Sequence, residues 1–218
     1  MKPILTERKA FPMKPRVALL TLLCLALLAV PAVAGKLYDN GPINGTVDAW
    51  TINFGYVVSD SFTLSSNNAT ATSIEFGAWL FPGDTLSTVE ASVTSQPNSG
   101  QIFFDQVLNT TQSGCATNQG GFDVCTINIV VNWSFGSHGT YWLNLQNAVA
   151  GGDPAFWDEN SGIGCTSLGC PSQAYDSVVG TIPSEAFSIS GTTTPEPSSV
   201  MLFGSGILGL AGMLRRKW

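Results

Sequence analysis

Apolar and polar residues alternate with a period of two along most of the chain's middle, the pattern of half-buried strands. Trp50, Ile52 and Phe54 share one face of a first strand. Phe62 and Leu64 share a face of the next, after Ser59-Asp60-Ser61. Ile74, Phe76, Ala78 and Leu80 alternate until Pro82-Gly83-Asp84 breaks the run, and Val89, Ala91 and Val93 until Pro97-Asn98-Ser99-Gly100. Ile102 to Leu108 reads as a fifth strand. Cys125, Ile127, Ile129, Val131 and Trp133 make a sixth, and Tyr141, Leu143 and Leu145 a seventh. A short piece near Phe156 and a last strand around Phe187 and Ile189 complete the set. No segment of this middle shows a 3.6 period. Strands at this spacing, separated by Asn, Gly, Ser and Thr, predict an all-β domain: an antiparallel two-sheet sandwich, jelly-roll-like first and immunoglobulin-like second.

Both ends break the alternation with continuous apolar runs. Lys14 and Arg16 precede Val17 to Val30, apolar apart from Thr21, and Ala32-Val33-Ala34 offers a small-residue cleavage site before Gly35. That order is the anatomy of a secretory signal peptide over residues 1–34, with Met13 as the expected start. At the other end Pro195-Glu196-Pro197 closes a Thr/Pro spacer over residues 192–197. Residues 198–214 then read as a Gly-containing apolar helix, and Arg215-Arg216-Lys217 follow. A helix of about 17 residues spans roughly 25 Å, enough for the hydrocarbon core. The basic cluster over residues 215–218 would stay cytoplasmic, leaving the domain at residues 35–191 outside.

The segment TPEPSSVMLFGSGILGLAGMLRRKW resembles the PEP-CTERM sorting signal of Gram-negative and related bacteria. The Pro-Glu-Pro motif (Pro195, Glu196, Pro197), the Gly-rich hydrophobic helix and the basic end with Arg215 and Arg216 stand in the family's order. Thr194 stands where the family often has a hydrophobic residue. The resemblance implies three things: recognition by an exosortase in the inner membrane, cleavage near the motif, and a host that makes extracellular polysaccharide. Some ice-binding proteins carry the same tail. The stretches VSDSFTLSS, EFGAWLFPGDTLSTVEASV, GTYWLNLQNAV and FWDENSG are similar to β-rich modules that precede many such tails, which implies the fold and no particular chemistry.

Charge sharpens the picture. Of nine basic residues, only Lys36 lies between Gly35 and Thr194, against thirteen acids there. Such a surface repels phosphate backbones and excludes nucleic acid as a partner. Four cysteines fall in the exported part: Cys115, Cys125, Cys165 and Cys170. An even count in an oxidising compartment reads as two disulfides. Three pairings exist, and the spacing favours Cys115–Cys125 and Cys165–Cys170, each closing a short Gly-rich loop. A zinc site is the rival reading, against which stand the absence of a CxxC pair and a single histidine, His138.

Two tryptophans lie off the apolar faces of their strands. Trp79 shares the Glu75/Gly77 face, and Trp142 stands with Asn144 and Gln146. A flat indole flanked by amides suits a sugar face, so both are candidate glycan platforms; burial under a loop or a second sheet is the alternative. Asp153, Asp158 and Asn160 crowd one segment and are candidate calcium ligands, with solvated loop acids as the alternative. Asp158 and Glu159, adjacent on an extended chain, would point to opposite sides. Ser137 beside His138 is no triad, and no phosphate loop, dinucleotide fingerprint or HExxH occurs. The expectation is a non-enzymatic surface or matrix protein, without a cofactor unless calcium binds, that associates with extracellular polysaccharide. A protein–protein or ice-binding module and a secreted glycan-active enzyme are the other readings. Thr residues scattered without a repeat argue against ice.

Overall fold

The computed structural model describes residues 33–194 and 203–207. The expected signal segment up to residue 32, with Met13, lies outside the described residues. So do Pro195, Glu196, Pro197, Arg215, Arg216 and most of the expected membrane helix. Residues 32–194 form one unit. In the other, residues 203–207 are helical, and among the described residues no helix is long and apolar enough to cross a membrane.

The alternating segments become antiparallel strands. In chain order they are β1 (Val33–Asp39), β2 (Asp48–Thr51), β3 (Val57–Leu64), β4 (Ala69–Leu80), β5 (Thr88–Gln96) and β6 (Ser99–Thr117). β7 (Asp123–Phe135), β8 (Gly139–Val149), β9 (Phe156–Glu159), β10 (Ala174–Asp176), β11 (Gly180–Ile182) and β12 (Phe187–Thr193) follow. Hydrogen bonding runs through them in the order β1-β12-β4-β7-β6-β5-β8-β3-β10-β11. β9 joins the edge of β4 beyond the end of β12, at Ala78 and Trp79, and β2 pairs with β9.

Two separate sheets were expected; the ladders are continuous because β6 is long. Its first part, up to Asn109, pairs with β5, and from Thr110 to Thr117 it pairs with β7. The sheet therefore curls. Phe62 on β3 packs 6.1 Å from Tyr38 on β1 and 5.9 Å from Phe135 on β7, so the two halves of the strand path share one core. Phe76, Phe187 and Trp157 extend that core, and Trp133 stacks on Phe104 at 5.2 Å. β7 alternates as its sequence does: Cys125, Ile127, Ile129, Val131, Trp133 and Phe135 are buried, while Val130 faces out.

Three expectations change. Phe54 does not continue the Trp50/Ile52 face; it sits in the turn after β2 at φ 54° and is exposed. Ser59-Asp60-Ser61, placed ahead of the Phe62/Leu64 strand, is the middle of β3, and all three residues are buried. Trp50, read as core, is half-buried, because its indole N–H reaches sideways to Glu159 at 3.0 Å.

Candidate functional site

The outward face of β4 carries Gly77 and Trp79, directly opposite Thr126 and Val124 of β7. A groove of about 660 Å³ opens over this patch. One wall is the segment Ile43–Thr46, and the other is the end of β6 with the turn at Asn118, Gln119 and Gly120. Gly77 is required there: a Cβ would stand 2.6 Å from the Asp158 Cβ and 2.8 Å from Ile43. The first wall can press onto the strand only because that side chain is missing.

Hydrogen bonds fix both walls and the indole. Asp158 Oδ1 accepts from the Trp79 indole N–H at 2.6 Å and the Gly45 amide at 3.0 Å, and its Oδ2 accepts from the Asn44 amide at 2.9 Å. Burial pushes the Asp158 carboxyl above the usual range, and these three donors pull it back. Asn118 donates across the groove to the Gly45 carbonyl at 3.1 Å and accepts from the Gly120 and Phe122 amides. The Trp79 ring rests 5.9 Å from Phe122. Among the described residues that line the groove, none is titratable; amides and hydroxyls of Asn44, Thr46, Thr117, Asn118, Gln119 and Thr126 surround the indole. A hollow of about 420 Å³ adjoins, sharing Ile43 and Thr126 as walls.

The other candidates disperse. Trp142 is half-buried on β8, opposite Ser61 of β3 and Thr94 of β5, in the other half of the strand path from Trp79. The two tryptophans do not form one platform. Asp153 is exposed in the turn before β9, whereas Asp158 and Asn160 are fully buried. Asn160 spends its amide on the Asn40 carbonyl at 2.6 Å and its oxygen on the Gly162 amide at 2.8 Å. Asp158 and Glu159 do point oppositely, the first to the groove and the second to Trp50 and Ser161. Among the described residues, no three His, Cys, Asp or Glu side chains converge as a metal site. Both favoured disulfides form, Cys115–Cys125 at the groove wall and Cys165–Cys170 in the loop before β10. Ser137 Oγ faces the Tyr141 hydroxyl at 3.1 Å, while His138 Nδ1 faces Asn67 Oδ1 at 2.9 Å.

A second cluster escaped the sequence reading: Asn40, Asp60, Ser172, Ser184 and Glu185. The signal existed, since Asp60 shares parity with Val58 and Phe62, and Glu185 with Phe187 and Ile189, placing each acid on an inward face. Asp60 and Glu185 are fully buried.

Residues 193–217 match the PEP-CTERM protein-sorting motif. The PEP-CTERM match covers the tail alone, and a comparison with curated proteins finds no match. A PEP-CTERM segment implies an exported protein, anchored by its C-terminal end before processing and recognised by an exosortase.

Proposed function

We propose that this protein is a non-enzymatic cell-surface or matrix component whose β domain binds uncharged extracellular polysaccharide in the Trp79 groove. The observation that carries the reading is the indole itself. Trp79 is held in place by Asp158 and flanked by neutral amides and hydroxyls. A ring fixed in advance loses little freedom when a sugar face stacks on it, and fixed amides supply the polar contacts. Thirteen acids against one base in the domain repel polyanionic glycans, so the partner is a neutral one. Glycoside hydrolysis needs two facing carboxyl groups, and the groove lining offers none to a bound chain, which supports binding over turnover. The curled sheet serves as a jelly-roll-like two-layered scaffold. The PEP-CTERM tail supports delivery to the surface where such polysaccharide lies.

Affinity electrophoresis against a panel of neutral and acidic polysaccharides tests this. Retardation by a neutral glycan is expected, weakened at least about tenfold by Trp79→Ala, as loss of a stacking contact worth about 1.4 kcal/mol implies. Trp142→Ala should leave it unchanged. Retardation that survives Trp79→Ala, or release of sugar fragments from any polysaccharide in the panel, overturns the reading.

A further inference from the structure

Behind the groove, neighbouring strands bring acids together without a base, from Asp48 at the surface to Glu185 inside. Asp48 on β2 stands directly opposite Glu159 on β9, and Glu159 stands opposite Glu185 across an isolated bridge. Carboxylates placed opposite one another across strands repel. Glu159 is answered, since its oxygens accept from the Trp50 indole and the Ser161 hydroxyl. Glu185 is not: it is fully buried, and neither of its carboxyl oxygens has a hydrogen-bond partner. Asp60, reaching in from β3, accepts the Glu185 amide at 2.7 Å with Oδ2, while its Oδ1 is likewise without a partner.

The surroundings are rich in oxygen. The Asn40 amide nitrogen has two hydrogens to give. Ser172 Oγ and Ser184 Oγ each stand 2.6 Å from it, the Glu185 carbonyl 2.5 Å and Asp60 Oδ2 3.4 Å. Tyr38, whose hydroxyl donates to Asn40 Oδ1 at 3.1 Å, adds a further oxygen. The loop carrying the Cys165–Cys170 disulfide and Ser172 closes over this cage. Lys36, the domain's one base, is engaged at the surface with Asp39.

A proton on each carboxyl group does not resolve the cage. It would remove charge, but the carboxyl oxygens left without a proton would still lie buried with no donor. A species that offers positive charge to several oxygens at once does resolve it. We infer that Asp60 and Glu185 hold one calcium ion, with hydroxyl and carbonyl oxygens of the Asn40, Ser172 and Ser184 cage completing its shell. The donors are all hard oxygens, the set calcium takes six to eight of, and two carboxylates balance its charge. The ion sits apart from Asp153, and Asp158 keeps its N–H partners.

The exported protein, purified and stripped with chelator at pH 7, is melted with and without millimolar calcium chloride. Calcium at about a hundred times its dissociation constant should raise the midpoint by roughly 5–10 °C. Elemental analysis of unstripped protein should give about one calcium per chain, as a single site requires. Glu185→Gln and Asp60→Asn should each abolish the shift. Both variants put an uncharged group of the same shape in place of a buried carboxyl group, so in chelator each should melt no lower than the unaltered protein. No calcium shift in the unaltered protein, as expected if protons and water fill the cage, overturns the inference; so does a shift that persists in both variants.

Discussion

Asp158 holds the groove through three N–H donors, so its oxygens are the hinge between a wall and an indole. Replacing it with Asn keeps size but turns one acceptor into a donor that faces another donor. Leaving a buried N–H without a partner costs about 1–3 kcal/mol. Asp158→Asn is therefore expected to lower stability by that amount in denaturant titration and to weaken glycan retardation as the indole loosens. Trp79 was legible in the sequence because a tryptophan off the apolar face of a clean alternation has to be explained. Asp60 was masked: its parity with Val58 and Phe62 points it inward, but Ser59-Asp60-Ser61 has the composition of a turn, and local composition carries no record that β8 and β10 pair on both sides of it.

At the level of elements, the long alternating strands were readable and the short ones were not. β7 and β4 announce themselves because each buries one face along its whole length. β10 and β11 have three residues each, and their pairing depends on β3 rather than on their own pattern. β6 was half read: its outer positions are exposed, so its continuation from Asn109 to Thr117 left no apolar trace. The halves meet at Phe62, whose ring touches Tyr38, Phe135 and Tyr141. Phe62→Ala should cost about 3–5 kcal/mol, read as a lower denaturation midpoint with little change in slope. The Cys115–Cys125 bond fastens the end of β6 to β7 beside the groove. Changing both cysteines to Ser should destabilise by about 2–3 kcal/mol and reduce glycan retardation more than stability alone accounts for, because that wall of the groove loses its staple.

For the domain as a whole, charge is the governing feature: between Gly35 and Thr194 thirteen acids stand against one base, and Asp60 and Glu185 are among the acids sealed inside. Burial pushes the Asp60 carboxyl up to about 8, and burial followed by the charge of Asp60 raises Glu185 well above its usual range. A carboxyl whose folded pKa exceeds its unfolded value binds its proton more tightly in the folded state. Its stabilising contribution is complete below about pH 4, the unfolded value, and is lost as pH climbs toward 8. Chelated protein should therefore become easier to unfold across that interval, as followed by urea titration at successive pH values. Saturating calcium should flatten the trend.

Thr193, the last residue of β12, lies opposite Val33 at the start of β1 and also pairs with Ala69 of β4. The polypeptide thus enters and leaves the domain side by side at one corner. Tension between the sorting tail and a ligand held near Trp79, at the opposite end of β4, would run along the strands and meet the two ladders of β12 in shear, so that their rungs share the load.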